Sequence, residues 1–225
     1  MKIIHQTAEY VVVCKAAGED SEHDLPEMLA EQNGDRATDY YVVHRLDKAA
    51  SGLLVLARDR QTAGELSRQL TENRLRKTYL CVVPGVPAPV SGEMQDLLYQ
   101  DKMKKKMFPV KRKRAGVKEA SLTYRVLETQ APLTLVEVEL QTGRFHQIRC
   151  QFAARKLPLV GDGKYGSRVW SPHLALFCRQ LSFYDAKEKK ECSFTAAPPA
   201  EFPWTAFSCA SDEVRSSENG AEALA

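Results

Sequence analysis

The stretch "VVHRLDKAASGLLVLA", residues 42–57, sets an ionisable cluster against a run of apolar residues. The cluster comprises Arg45, Asp47 and Lys48, and a Ser51-Gly52 turn follows it. The apolar residues after the turn predict a strand buried in the core. A carboxylate in this place is either part of a structural ion pair or a reactive group that its neighbours keep ionised.

Basic residues are concentrated in one segment of the chain. The 225 residues carry a formal net charge of +3, but nine of the 32 Lys and Arg residues fall between Lys102 and Lys118, where there is no Asp or Glu. The same segment holds Met103, Met107 and Phe108. A solvated loop is one explanation of such a run. Cations interleaved with apolar side chains, in an otherwise acidic chain, favour contact with a polyanion. We therefore predict a nucleic acid partner.

The six cysteines are spread singly and form no C-x-x-C pair, so the sequence favours neither a zinc site nor a disulfide framework. They are typical of reduced thiols in a cytosolic protein. Residues 1–15 are too short and too polar for a signal peptide, and no run reaches the length of a membrane span. We expect a cytoplasmic protein without membrane contact.

Hydrophobic patterning predicts a mixture of strands and helices. Strands are expected at residues 9–15, 52–58, 76–85, 120–128, 133–142 and 174–184. A short helix is expected to begin at Pro26, a second to follow an Asp59 N-cap, and a third to cover residues 144–156. A Pro-rich connector leads into the basic segment. We expect one domain over residues 1–207 and a disordered acidic tail at residues 208–225.

A second charged cluster is "TGRFHQIR" at residues 142–149. The Gly143 turn is expected to launch a helix whose first two turns contain Arg144, His146 and Arg149. Arg149 would emerge beside the apolar stripe, and it needs an anion because an unpaired buried charge is costly. Asp47 is the comparably placed carboxylate, and a bidentate pair with Arg149 would hold Asp47 ionised with a lowered pKa. A structural salt bridge without chemistry is the alternative.

No other motif accounts for a catalytic function. The sequence lacks a metal-ligand set, a P-loop and a G-x-G-x-x-G loop, and its histidines show no H-x-x-x-H spacing. Ser51 lacks the G-x-S-x-G elbow, which disfavours a serine hydrolase.

Four motifs, taken in order, resemble those of the RluA-type pseudouridine synthases. They are "HRLDKAASGLLVLARD" (44–59), "RKTYLCVVPG" (76–85), "KEASLTYRVLE" (118–128) and "TGRFHQIRCQFAARKLPLVGDGKYG" (142–166). The resemblance extends from Glu9 to Pro203. It implies an α+β fold with a central, mostly antiparallel mixed β-sheet flanked by helices, and isomerisation of selected uridines in RNA to pseudouridine. This isomerisation involves no redox change or phosphoryl transfer, so we expect no cofactor and no metal.

The resemblance also implies roles for particular residues. Asp47 is matched to the catalytic aspartate, Tyr79 to the tyrosine that packs against the target base, and Arg149 to the partner of the aspartate. Ile148 is matched to an apolar wall beside the base, and Arg45 to a residue that flips the target nucleotide. Cations of the basic segment are expected to bind phosphates: Lys104, Lys105, Lys106, Lys111, Arg112, Lys113 and Arg114.

The sequence departs from the family pattern at Ala16, where Pro is common, at Ala50, where Thr is frequent, and at Phe145, where a small or polar residue is usual. None of these removes a catalytic side chain. There is no room before the first strand for the S4-like RNA-binding module of many relatives. We therefore expect an enzyme that reads a small stem-loop locally, in rRNA or tRNA, and we take a monomer as the default.

Two other functions are compatible with the residues. The first is an RNA-binding or RNA-folding protein on the same scaffold, for which catalysis is secondary. The second is a phosphodiester-cleaving nuclease that uses His44 or His146.

Overall fold

The computed structural model describes residues 1–208 and the backbone of a two-residue strand at Ser216–Ser217. These residues form two compact units. Unit 1 contains Met1–Lys77, Cys178–Ala197 and the strand at Ser216–Ser217, and unit 2 contains Thr78–Phe177 and residues 198–208. Most of the predicted tail, at 209–215 and 218–225, lies outside the described residues, so its disorder stays a prediction.

Unit 1 is built on a sheet in which the order is β1, β2, β4, β10, with β3 paired to β4 and β11 paired to β10. The strands are β1 Lys2–Gln6, β2 Tyr10–Lys15, β3 Tyr41–Val42, β4 Ser51–Ala57, β10 Leu176–Asp185 (from Cys178 onward in this unit) and β11 Lys190–Thr195. All seven residues of β4 are buried, as the sequence predicts for a strand covered on both faces.

Gly52, near the start of β4, lies tightly against the backbone of β10. Its φ is +115°, and a Cβ built there would lie 2.4 Å from the backbone nitrogen and oxygen of Cys178. Only glycine fits such an approach. The glycine therefore lets the charged loop before β4 turn directly into the sheet.

Two helices belong to unit 1: α1, Asp24–Asn33, and α2, Arg60–Thr71. The predicted start of α1 at Pro26 is wrong by two residues. Proline is tolerated there because the first backbone N–H groups of a helix have no intrahelical acceptor. The predicted cap of α2 is confirmed, since the Asp59 side chain accepts a hydrogen bond from the Thr62 N–H at 2.8 Å.

Unit 2 contains an antiparallel sheet with the order β5, β9, β8, β6, β7. Its strands are β5 Arg76–Pro84 (from Thr78 onward in this unit), β6 Ser91–Asp101, β7 Lys106–Val110, β8 Val117–Gln130 and β9 Leu133–Leu140. One helix, α3 at Gln147–Ala154, packs on this sheet, and its Gln151 Nε2 donates to the Met94 carbonyl of β6 at 3.1 Å.

The strands β6 and β7 are absent from the sequence prediction, which places a connector and a basic loop there. In the structure the basic segment is a β-hairpin turn at residues 102–105, the strand β7, and a second loop at residues 111–116. Met94, Leu98 and Met107 are buried within this hairpin. Cross-strand packing buries these side chains, but so few buried positions leave no clear apolar pattern in the sequence.

The start of α3 also differs from the prediction. Arg144 and Phe145 precede the helix, and His146 forms its N-cap in the left-handed conformation with φ 48°. Phe145 packs instead, with Tyr165, against a small core of Leu98, Met107, Ala120 and Cys150. Of the three residues expected in the first two turns, only Arg149 lies in the helix.

The predicted α+β class is confirmed. All six predicted strands are present, and the strand pairs whose registers are described are antiparallel. Among the described residues, no helix is long and apolar enough to cross a bilayer.

Candidate active site

Asp47 lies in the loop between β3 and β4 of unit 1 and is partly exposed. The backbone before it is fixed by Ser21, which is 3% exposed. The Ser21 hydroxyl donates to the Leu46 carbonyl and accepts from the Leu46 N–H, both at 3.2 Å. After Asp47, the Ala50 N–H donates to the Asp47 carbonyl at 2.9 Å. The loop thus has a defined backbone on both sides of the carboxylate.

Lys15, at the end of β2, reinforces this loop and is missing from the sequence prediction. It is 1% exposed, and its Nζ donates to the carbonyls of Ala16 and Glu19 at 2.9 Å and of Lys48 at 3.2 Å. Burial lowers the pKa of Lys15 to about 8, against the opposing effects of Glu19 and then Asp47. A lysine that ends the apolar run "VVVCK" is the signal in the sequence.

The two cations next to Asp47 in the sequence point to the surface. Arg45 Nη1 lies 3.1 Å from Glu22 Oε2, and Lys48 Nζ lies 3.9 Å from Asp24 Oδ2. All four side chains are well exposed. Exposed pairs of this kind contribute about 0–1 kcal/mol, so Arg45 can leave Glu22 at little cost.

His44 is part of the core of unit 1. It is 6% exposed, its Nε2 accepts from the Val55 N–H at 3.3 Å, and its Nδ1 is buried without a hydrogen-bond partner among the described atoms. Burial, with a smaller effect from Lys77, lowers the pKa of His44 well below 6.5. The imidazole therefore stays neutral, as a structural histidine does.

Tyr79 and Ile148, the residues predicted to contact the target base, belong to unit 2. Tyr79 lies in β5 opposite Val138 of β9 and is 5% exposed. Ile148 lies in the first turn of α3 and is 4% exposed. Both therefore supply apolar surface rather than charge.

Arg149 of α3 is held by a carboxylate that the sequence prediction missed. Its Nε lies 2.7 Å from Asp162 Oδ2 and its Nη2 lies 2.8 Å from Asp162 Oδ1. Arg149 is 5% exposed and Asp162 is 2% exposed. Asp162 stands in the quoted motif "GDGKYG", which is the signal that could have identified it.

The bidentate pair uses two of the five N–H donors of the guanidinium. The pair with Asp162 therefore leaves N–H donors with which Arg149 can bind a second carboxylate. Asp47 belongs to unit 1 and Arg149 to unit 2, and the predicted Asp47–Arg149 pair stays a prediction.

His146 lies beside this pair and is neutral. Burial, followed by the positive charges of Arg149 and Lys164, lowers the pKa of His146 to about 3. Its Nδ1 lies 3.2 Å from the Tyr165 hydroxyl. A nuclease needs a histidine that exchanges a proton near neutral pH. Neither His146 nor His44 meets this need, which disfavours the nuclease hypothesis.

The predicted phosphate-binding cations form two clusters near one end of β6, and all of them except the half-buried Lys106 are exposed. The first occupies the turn between β6 and β7 and contains Lys104 and Lys105, with Lys106 at the start of β7. The second occupies the loop before β8 and contains Lys111, Arg112, Lys113 and Arg114. Asp101 of β6 pairs with Lys106, and Tyr99 of β6 pairs with Val117, so the register brings both clusters to the same end of the strand.

Several contacts shape these clusters. Met103 at the turn is 94% exposed, and Lys104 and Lys106 lie over the Phe108 ring. Lys113 pairs with Glu119, and the Arg114 guanidinium lies over the Tyr99 ring. The arrangement presents cations and apolar surface together. Within the described part of the chain, no group of His, Cys, Asp and Glu side chains could hold a metal ion.

Comparisons with known proteins agree with these motifs. The sequence model of the RNA pseudouridylate synthase family matches residues 8–154. An uncharacterized RNA pseudouridine synthase of Chloroflexus aurantiacus is 36% identical over 167 residues, which cover 71% of this chain and 50% of that relative. Ribosomal large subunit pseudouridine synthase D of Borreliella burgdorferi is 34% identical over 125 residues, which cover 56% of this chain and 38% of that relative. The chain therefore matches half or less of the length of these two relatives.

A solved structure gives the same result. Human RNA pseudouridylate synthase domain containing 4 superposes with a TM-score of 0.73 and 25% sequence identity, over 88% of each chain. The family match contains the Asp47 loop, Tyr79 and the first turns of α3 with Arg149. The chain belongs to the RluA-type family of RNA pseudouridine synthases.

Proposed function

We propose that the protein is an RNA pseudouridine synthase that isomerises a uridine in structured RNA. The observation that carries the proposal is the family match over residues 8–154, within which Asp47, Tyr79 and Arg149 all stand at motif positions.

Asp47 is the proposed catalytic carboxylate. Pseudouridine joins the base to the sugar through C5 instead of N1, so the enzyme must break the glycosidic bond, turn the base and form a new carbon–carbon bond. Cleavage develops positive charge at the anomeric carbon, and a carboxylate stabilises that charge, traps the sugar covalently or relieves the charge by removing a sugar proton. The clamps on the loop from Ser21 and Lys15 support this role, because a reacting group works best on a fixed backbone.

Arg149 is proposed as the cation that orients the carboxylate. Its own position is fixed by Asp162 through two short hydrogen bonds in a buried setting. A guanidinium fixed in this way presents its remaining edge in one direction, as a bidentate partner requires.

The target base must leave the RNA stack before it can reach Asp47. We propose that Arg45 fills the space left by the flipped nucleotide, which its weak surface pair with Glu22 permits. Tyr79 and Ile148 are proposed to form the apolar wall against which the uracil turns.

The two cation clusters beside β6 are proposed to bind RNA phosphates. Backbone contacts of this kind position the RNA and give salt-dependent affinity without sequence information. Binding that does not change when the salt concentration is raised several-fold would contradict this role.

Ribosomal RNA is the first substrate to test, because the Borreliella burgdorferi relative is named as a synthase of the ribosomal large subunit. A tRNA stem-loop is the second. Action as a monomer in the cytoplasm also stays part of the proposal.

The test uses RNA that carries tritium at uracil C5, since the new bond at C5 must expel that hydrogen. Wild type, Asp47→Asn and the control Asp39→Asn are mixed with labelled rRNA and tRNA. Asp39 is a suitable control because its contacts are local to unit 1: its carboxylate pairs with the exposed Arg36 side chain and accepts a hydrogen bond from the Arg36 N–H. We expect release by wild type and by the control, and none by Asp47→Asn, which should still bind RNA.

Two other results would contradict the proposal. Bound RNA with no release from any pool would favour an RNA-binding protein, a function that the exposed cation clusters alone could support. Shortened RNA strands would instead restore the nuclease hypothesis.

A further inference from the structure

Residues 161–173 of unit 2 form a compact loop whose ends meet. The Gly161 N–H donates to the Val169 carbonyl at 3.1 Å. Gly161 has a φ of +77°, and a Cβ built on it would lie 2.3 Å from the His173 carbonyl oxygen. Compact surface loops with adjacent ends are frequently functional. We refer to this segment as the 161–173 loop.

The 161–173 loop is anchored at its start by Asp162. The Asp162 side chain holds Arg149, and its carbonyl accepts from the N–H groups of Tyr165 at 3.1 Å and of Ser167 at 3.0 Å. The same residue therefore fixes both the proposed active-site arginine and the turn that begins the loop.

The 161–173 loop is also bonded to the basic hairpin. Lys106 Nζ donates to the Lys164 carbonyl at 2.7 Å, and the Met107 N–H donates to the Tyr165 hydroxyl at 2.8 Å. The ammonium of Lys106 lies 4.7 Å from the centre of the Tyr165 ring. The loop and the first cation cluster are thus parts of one surface.

Trp170 is an exposed side chain of this loop, and none of the roles described above explains its exposure. It is 78% exposed, whereas Trp204 of the same unit is 4% exposed and packs edge-on against Phe177. The backbone on each side of Trp170 is fixed. The Val169 carbonyl accepts from Gly161, and the Ser171 hydroxyl donates to the Phe202 carbonyl at 3.2 Å.

Because the backbone on both sides of Trp170 is fixed while its indole is exposed to water, the indole forms a preorganised flat surface. A single exposed apolar side chain is common on proteins and means little alone. Here the exposed ionisable side chains in the loop are Lys164, Arg168 and His173, and the loop is bonded to a cationic hairpin. An exposed aromatic ring on the same surface as cations is the pattern that binds unpaired nucleotides, because bases stack on the ring and cations neutralise phosphates.

We propose that Trp170 is a stacking site for an unpaired base of the RNA, with Lys164 and Arg168 on the neighbouring phosphates. The proposal rests on the proposed function only in taking RNA as the ligand, and it does not require Asp47 to be catalytic. It makes the 161–173 loop a second RNA-binding element beside the basic hairpin.

The experiment compares two RNA hairpins of equal length, one with an eight-uridine loop and one paired throughout except for a tight tetraloop. The binding of each to wild type, Trp170→Phe, Trp170→Ala and the control Val90→Ala is measured by fluorescence anisotropy of end-labelled RNA. Val90 is a matched control because it is an exposed apolar residue of the same unit. Thermal unfolding shows whether each variant is folded.

We expect Trp170→Ala to weaken binding of the uridine-loop RNA by about 5- to 150-fold, the range that one stacked base contributes. Trp170→Phe should keep most of the affinity, since a ring remains. Val90→Ala should match wild type, and the paired hairpin should not distinguish the variants.

Tryptophan emission gives an independent readout with unlabelled RNA. Stacking of a base should quench Trp170 saturably in wild type. In Trp170→Phe the remaining emission, from buried Trp204, should not change on binding.

The inference is overturned if Trp170→Ala binds the uridine-loop RNA as tightly as wild type, or if it loses the same affinity for both hairpins. It is also overturned if the tryptophan emission is not quenched in the saturated complex, or if wild type binds no RNA. The tritium assay separates this result from the proposed function. Stacking on Trp170 without tritium release would support the stacking site and contradict the proposed synthase activity. Tritium release, with Trp170→Ala binding RNA as tightly as wild type, would support the synthase activity and contradict the stacking site.

Discussion

Replacing Asp162 by alanine should be severely destabilising, because it removes a bidentate anionic partner from a buried guanidinium. Arg149 and Asp162 are 5% and 2% exposed and share two hydrogen bonds of 2.7 and 2.8 Å. Removing one partner of a buried ion pair costs about 3–5 kcal/mol. In a domain of this size each kcal/mol lowers the melting temperature by about 2–4 °C, so Asp162→Ala should melt roughly 6–20 °C lower than wild type.

Circular dichroism melts and urea unfolding measure this effect. The control is Glu137→Gln, which removes a pair with Arg125 whose arginine side chain is largely exposed. Its loss should stay below about 1 kcal/mol. A double variant, Arg149→Met with Asp162→Leu, should recover part of the loss, since it removes the buried charge as well as its partner. If Asp162→Ala lost no more stability than Glu137→Gln, the assignment of this pair as a buried anchor would be refuted.

Three further predictions concern other residues. Burial lowers the pKa of Lys15 from 10.5 to about 8, so between these values the unfolded chain binds more protons than the folded chain, and wild-type stability should rise with pH relative to Lys15→Met. Urea unfolding on either side of that window tests it, and a constant difference would contradict it. Gly52→Ala should prevent folding or lower the melting temperature strongly, because its Cβ would lie 2.4 Å from the Cys178 backbone. The control Gly64→Ala in α2, where the added Cβ has open space, should raise the free energy of unfolding by about 0.5–1 kcal/mol. The His146 imidazole should stay neutral down to about pH 3, and a ring titration near pH 6.5 in nitrogen-15 NMR would show this wrong.

The parts of the fold that were predictable are those in which local pattern and tertiary burial agree. Three examples are the β-branched run in β2, the apolar run in β4 and the Asp59 cap of α2. In each of them, neighbouring residues alone indicate the local secondary structure. β6 and β7 were not predictable, because their buried residues are few: Met94 and Leu98 in β6 and Met107 in β7. Their burial depends on cross-strand packing within the hairpin and with β8, which the sequence of each strand alone does not encode.

In the candidate site, too, some residues were predictable from the sequence and others were not. Asp47 and Arg149 stand out because a charge interrupts an apolar pattern. The residues that position them do not stand out, since Lys15 and Asp162 act through contacts that only the folded chain creates. The predicted start of α3 failed for a related reason: His146 takes a left-handed conformation that ends the preceding turn, and no periodicity in the sequence encodes it.

The closure of the 161–173 loop has a consequence for how this protein could change its RNA target. The loop is closed by the backbone hydrogen bond between Gly161 and Val169, is anchored by the side chain of Asp162, and packs the Gly161 backbone tightly against the His173 carbonyl. Lys164, Arg168 and Trp170 project from this frame without contributing side chains to its closure. Substitutions at these three positions could therefore accumulate during evolution, or be made by design, without moving Arg149. Recognition and chemistry would then be separately adjustable in one short segment of the chain.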